Sequence, residues 1–215
     1  MPMTYTSLIA SIQQYTNRTD AVFTAAIPNL IDQAINTIYS QAKSIGFETV
    51  FVNNNFFTIN QPFINKPANW KETINMQLTI PGAPSTTLFL LPRTYEFCVN
   101  YWPNVTNVGV PKFYANYGNN ENIDSFYIAP TPNATYPGQL LYLGLPAFNA
   151  QNGTNFLTLR YPNLVLYRSI LEAVIWLKDD ERIAKFQGLY DEQLQTINKD
   201  TTNRYTDRTS QRDKD

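Results

Sequence analysis

The spacing of apolar residues changes twice along this chain, and that change decides which folds are open to it. Ile27, Leu30, Ile31, Ala34, Ile35, Ile38, Ala42 and Ile45 step by threes and fours, the period of a helix with one buried face. Between Thr73 and Ile80 the period is two. Ile74, Met76, Leu78 and Ile80 alternate with Thr73, Asn75, Gln77 and Thr79, as in a half-buried strand. From Leu164 the helical period returns through Tyr167, Ile170, Leu171, Val174 and Leu177. Helices at both ends of a β-rich middle predict an α+β fold.

Local signals refine this division. Tyr5, Leu8, Ile9, Ile12 and Tyr15 share one face of a first helix that Thr4 can cap. Asn17-Arg18-Thr19-Asp20 breaks the pattern, with Pro28 placed for the first turn of a second helix and Gly46 for its stop. Further strands are expected at Thr49–Val52, Phe56–Ile59, Leu88–Leu91, Lys112–Tyr117, Ser125–Ala129 and Gln139–Leu145. Turn signals separate them at Pro81-Gly82, Gly118-Asn119-Asn120, Pro137-Gly138 and Asn152-Gly153. Pro92 to Trp102 reads as a short helix that Pro92 opens.

Near the C-terminus, Val165, Leu166 and Trp176 make the helix from Leu164 apolar nearly all round, which predicts burial. Glu172 within it needs a partner, and Arg168 one turn earlier is suitably placed. Asp179-Asp180-Glu181 marks a new helix start, with Ile183, Phe186, Tyr190, Leu194 and Ile197 as its apolar face. After Lys199 the period stops, and Tyr205 is the one large apolar residue left. Such a segment buries too little surface to order itself. The expected architecture is a helical bundle from residues 1–47 and 161–199, with an antiparallel β-rich lobe inserted at 48–160. An extended tail or arm follows at 200–215.

Charge is distributed in a similarly uneven way. Asp179 to Asp215 carries 7 basic and 9 acidic residues, 16 of the chain's 33 charges. The charged fraction is 15%, against about 25% in ordinary globular chains. A surface rich in Asn, Thr and Tyr hydrogen-bonds without strong fields, which suits packing against neighbours. Net charge is −1, so no long-range attraction to nucleic acid is expected. No apolar run approaches the roughly 20 residues of a membrane span, and the N-terminus lacks the pattern of a signal peptide.

The missing residue types narrow the chemistry further. The chain has no histidine, which removes Ser-His-Asp and Cys-His catalysis and most zinc sites. Its single cysteine, Cys98, forms no internal disulfide and, between Phe97 and Val99, reads as a small buried hydrophobe. The Asp179–Glu181 cluster reads as helix capping, and Glu96, Glu121, Asp124 and Glu172 form no acid–base pair. No catalytic residue, metal or cofactor is expected. Tyr95, Tyr101 and Trp102 allow a second reading as an aromatic platform for carbohydrate, against core packing as the simpler role. In the tail, Arg204, Tyr205, Arg208 and Arg212 are cationic and aromatic anchors of the kind favoured at protein interfaces.

Four stretches carry a family resemblance. They are Met3–Ile9 with Ile27–Ile31; Leu91–Cys98 with Tyr101–Asn104; Pro111–Tyr114 with Ile128–Tyr136; and Tyr161–Tyr167 with Glu172-Ala173 and Asp180–Arg182. In order and spacing, from Thr4 to Ile197, they resemble the head-to-tail adaptor, or neck, proteins of short-tailed phages. The resemblance implies a non-enzymatic virion protein in the neck between capsid and tail, assembled in the host bacterial cytoplasm. It implies a homo-oligomeric ring, usually a dodecamer, seated under the portal protein. Such a ring extends the DNA channel without specific DNA binding and gives a platform for tail proteins. It also implies that the C-terminal tail reaches the portal or a neighbouring subunit. Asn53–Asn69 is read as a lineage-specific loop.

Overall fold

The computed structural model describes residues 3–42, 47–82, 84–118, 124–145, 147–151 and 153–212, with side chains through Thr202. In chain order the elements begin with α1 (Tyr5–Thr16), α2 (Ala21–Gln41), β1 (Glu48–Phe57), β2 (Phe63–Asn65), β3 (Trp70–Ile80) and β4 (Thr86–Pro92). Then come α3 (Tyr95–Tyr101), β5 (Val108–Gly109), β6 (Phe113–Gly118), β7 (Asp124–Ala129), β8 (Thr131–Pro132) and β9 (Tyr136–Gly144). The chain closes with α4 (Phe156–Arg160), α5 (Pro162–Trp176) and α6 (Asp180–Arg212). These elements form two compact units, one of Met1–Phe47 with Leu145–Asp215 and one of Glu48–Gly144. The α+β class agrees with the periodicity.

The first unit is helical and built around α5, against which α1, α2, α4 and α6 all pack. Leu164, Val165, Leu166, Ile170, Leu171, Ala173 and Val174 are buried on α5, which explains why its sequence is apolar on nearly every side. Burying one such Leu or Ile contributes about 1.5–3 kcal/mol. Around it lie Leu8 and Ile12 of α1, Ile27, Ile31 and Ile38 of α2, and Phe186, Tyr190 and Ile197 of α6. Thr4 caps α1: its hydroxyl accepts from the Ser7 amide at 3.1 Å while its own amide donates to Ser7 Oγ at 2.9 Å.

Three boundaries differ from the sequence expectation. Helix α2 starts at Ala21, where the Asp20 carboxylate accepts from the Phe23 amide at 3.0 Å. Pro28 therefore stands inside the helix and not in its first turn, because a strong cap upstream outweighs one missing donor. Gly46, expected as its stop, lies outside the described residues. Phe156–Arg160, expected within the β-rich stretch, is the short helix α4, capped by Asn155.

The third difference is at the C-terminus. An extended chain was expected from Asp200, but α6 continues to Arg212. No Gly or Pro follows Gly188 to stop it. Its path past Lys199 is pinned, since Tyr161 donates its hydroxyl to the Asp200 carboxylate at 2.9 Å and Thr201 is buried.

The second unit is a seven-stranded sheet in the order β1-β9-β3-β4-β6-β7-β2, with a two-stranded sheet of β5 and β8. All pairs in the larger sheet are antiparallel except β4 with β6. Cross-strand partners share a face, so Met76 lies between Leu140 and Leu90 in one buried row. Phe57, Met76, Leu78, Leu90, Tyr114, Phe126, Ile128, Leu140 and Tyr142 belong to one buried cluster. Six strands feed that cluster, so the sheet curls around its own core. The stretch Asn53–Asn69 is not simply a loop, for it contains the end of β1 and all of β2, with Phe56 and Phe57 buried. Gly138 is required here: a Cβ at this position would stand 2.6 Å from Phe57 and 2.8 Å from Phe56.

Candidate functional site

In the sheet unit, α3 divides the aromatic residues of its sequence between two surfaces. Thr94 caps the helix by accepting from the Phe97 amide at 3.3 Å, so Pro92 ends β4 and does not open α3. Cys98 points inward and is fully buried with Ala115, Tyr127 and Ala129. Burial pushes its thiol above the ordinary value, with Arg93 pulling weakly the other way. It is a core residue and not a nucleophile.

On one side of α3, Tyr95 packs on Tyr117 and Tyr127 with ring centroids 5.1 Å from each, and Phe63 joins them. On the other side Phe97 and Tyr101, one turn apart, stack at 4.6 Å. Trp102 lies 5.9 Å from Tyr101 and 5.5 Å from Phe113. Arg93 covers this group, its guanidinium 5.5 Å from the Phe97 ring and 5.6 Å from Phe113. Tyr101 is 67% exposed. Tyr95, Tyr101 and Trp102, grouped by sequence as a carbohydrate platform, therefore do not form one surface. Arg93, Tyr101 and Trp102 thus share one surface, and arginine, tyrosine and tryptophan are the residue types enriched at protein interfaces.

A second apolar surface flanks the sheet. Val50, Val52, Phe89 and Leu91 project to solvent on β1 and β4, with Val52 64% and Phe89 62% exposed. Gln77 and Gln139 lie between them in register, joined side chain to side chain at 2.7 Å. On β4 this face is legible from alternation, because Phe89 and Leu91 flank the buried Leu90, whereas on β1 Phe51 between Val50 and Val52 is itself 41% exposed. Sequence reading nonetheless assigned no role to it.

The remaining candidates fall as follows. The backbones of Arg204, Tyr205, Arg208 and Arg212 belong to α6, and their side chains lie outside the described residues. The Asp179–Glu181 acids do start a helix, with Asp179 ion-paired to Arg182. Arg168 and Glu172 are paired as their spacing implies, and Arg168 also lies over the Tyr190 ring at 5.4 Å. Lys66 is a buried cation that sequence reading missed. Its amine stands 3.6 Å above the Trp70 ring and 3.8 Å from Asp124. Burial lowers its pKa, and Asp124 opposes that shift. Glu121 lies outside the described residues.

Among the described residues no three His, Cys, Asp or Glu side chains converge as a metal site, and no helix is long and apolar enough to cross a membrane. Both surfaces consist of exposed aromatic and aliphatic side chains carried by α3 and the sheet. No curated protein matches the chain. The family model of the SU10 adaptor protein matches residues 3–212, covering α1 through α6 and both surfaces described above. The chain thus belongs to the SU10 adaptor protein family, a phage head-to-tail adaptor family.

Proposed function

We propose that this chain is a virion structural subunit that closes into a ring beneath the portal, twelve copies to a ring. The ring extends the DNA channel and carries tail proteins. Family membership across nearly the whole chain is the observation that supports this reading most strongly, since it gives a head-to-tail adaptor role. A closed ring needs two different, complementary faces on each subunit. The Arg93–Tyr101 aromatic surface and the Val50–Phe89 sheet face supply exposed apolar area of the required kind. Near-neutral charge suits passage of DNA without retention.

In this reading the helical unit is a bundle that carries the sheet unit as a lobe, and the ring sits in the neck between capsid and tail. The end of α6, with Arg204, Tyr205, Arg208 and Arg212, docks on the portal or on an adjacent subunit. The test is co-sedimentation with the portal of the same virus, using a chain cut after Thr202. That cut keeps the anchored Asp200 and buried Thr201 and removes the four candidate residues. Weakened attachment with an unchanged melting temperature is the expected result. Attachment equal to that of the full chain would remove the α6 end from the account.

A further inference from the structure

Helix α5 is apolar on nearly every side, and a helix of that kind is buried along its length. Its last two residues depart from this rule. Ile175 and Trp176 are exposed, Trp176 by 41%, while Ala173 and Val174 just before them are fully buried.

Four helix ends meet around these two residues. The Phe23 ring at the start of α2 packs 5.6 Å from Trp176. Tyr15 at the end of α1 lies 6.1 Å from Phe186 of α6, and its carbonyl accepts from Arg182 at 3.0 Å. The turns at 17–20 and 177–179 close this end of the helical unit. Tyr15 and Val22 are exposed here as well, Val22 by 71%. Ion pairs to Arg18 and Arg182 take up Asp20 and Asp179. Among the described residues Asp180 and Glu181 then stand without an ion pair, against Lys178 alone. The apolar patch therefore has an acidic rim.

The far end of α6 has the complementary composition. Residues 203–212 hold three arginines and one aspartate, with Tyr205 as their one large apolar residue. At about 100° per residue, Arg204, Tyr205, Arg208 and Arg212 fall within about 100° of the helix circumference. They continue the face that carries Phe186, Tyr190 and Ile197, which are buried farther back. That face has lost its neighbour here, because Tyr161, the residue before α5, already bonds to Asp200. Patch and anchors cannot meet within one chain. Arg204 stands 24 residues along α6 from Asp180, about 36 Å at about 1.5 Å per residue.

We propose that the α6 end of one subunit docks on the Val22–Trp176 patch of the next copy of this chain. Tyr205 covers the apolar residues, and the arginines face Asp180 and Glu181. Guanidinium groups over the exposed Tyr15 and Trp176 rings add cation–π attraction. Giver and receiver are different surfaces at opposite ends of one helix, so the contact is heterologous and each copy makes it twice. A neighbouring copy as the occupant rests on the ring-forming adaptor reading.

Crosslinking of the full-length chain on the portal tests this. Thr19→Cys lies in the exposed turn before Val22, and Thr209→Cys lies one turn beyond Tyr205, so a double variant keeps both surfaces. Bound to the purified portal of the same virus and treated with a short bismaleimide, it is expected to give a ladder of multimers. Each single variant is expected to give none, since Cys98 is buried. Val22→Lys is expected to reduce the ladder at least fivefold with the melting temperature unchanged, and Glu181→Lys serves if that variant fails to fold. Attachment to the portal without a ladder overturns the docking and leaves the adaptor reading standing. A ladder that Val22→Lys and Glu181→Lys leave unchanged overturns the patch as the acceptor. A dimer from Thr209→Cys alone shows the α6 ends pairing with each other and overturns the heterologous contact. Failure of the native chain to attach overturns the adaptor reading and this contact with it.

Discussion

Tyr190 on α6 donates its hydroxyl to the side-chain oxygen of Gln41 at the end of α2, 2.6 Å away. The same ring lies under the Arg168 guanidinium, and Arg168 is paired with Glu172 on α5. One tyrosine thus ties three helices of the helical unit. The ring is 1% exposed, and burial holds its hydroxyl up at about 12.

A raised folded-state pKa stabilises the fold fully below the unfolded value of 10.0 and loses that contribution as pH rises through about 12. The loss amounts to roughly 2–3 kcal/mol at about 1.4 kcal/mol per pH unit. Denaturant titrations at pH 9 and pH 12 should show it in the native chain. Tyr190→Phe should cost about 1 kcal/mol at pH 7 and remove this part of the alkaline loss.

Glu172→Ala should be more damaging than any nearby surface change. It leaves Arg168 with its side chain only 15% exposed and without its carboxylate. Breaking a buried pair costs about 3 kcal/mol, and urea unfolding of the variant measures it. Replacing both residues, Arg168→Met with Glu172→Leu, should recover most of that loss.

Lys66 gives the opposite expectation. Burial is the main cause of its lowered pKa, so the charge is a net burden on the fold, and stability should rise as pH passes the lowered value. Lys66→Met, similar in shape and uncharged, should keep the stability of the sheet unit to within about 1 kcal/mol. Asp124→Asn removes the opposing carboxylate and should destabilise. Thermal melts of the two variants decide the order.

Gly138→Ala should destabilise the sheet unit by about 1–3 kcal/mol, since the added carbon meets two aromatic rings at once. Gly118→Ala, where a Cβ meets nothing within 4 Å, is the control.

The helices and strands were legible wherever one period ran unbroken. The α2 stripe, the β3 alternation and the Arg168–Glu172 pair each depend on spacing within a single element. What was missed depends on relations between elements. The inward assignment of Ile74 failed at a bulge opposite β9, and a bulge leaves no mark in the alternation itself. The helix through Arg212 was missed because its sequence lacks an apolar face and gains order from Asp200 and Thr201. Within the aromatic surface, Tyr101 and Trp102 were noticed. Arg93 was not, because nothing in the sequence marks that it lies over Phe97 and Phe113.

Tyr101→Ala should leave the fold intact, since the side chain is mostly exposed, and should weaken assembly by about 2 kcal/mol, or roughly 30-fold. A melting curve beside a sedimentation titration separates the two effects.

The central claim is tested most directly by imaging the purified protein mixed with the portal of its own phage by electron cryo-microscopy. The account predicts closed rings of this chain seated on the portal, with the Arg93–Tyr101 surface or the Val50–Phe89 face at the subunit contacts. A protein that remains monomeric and leaves the portal bare would contradict it.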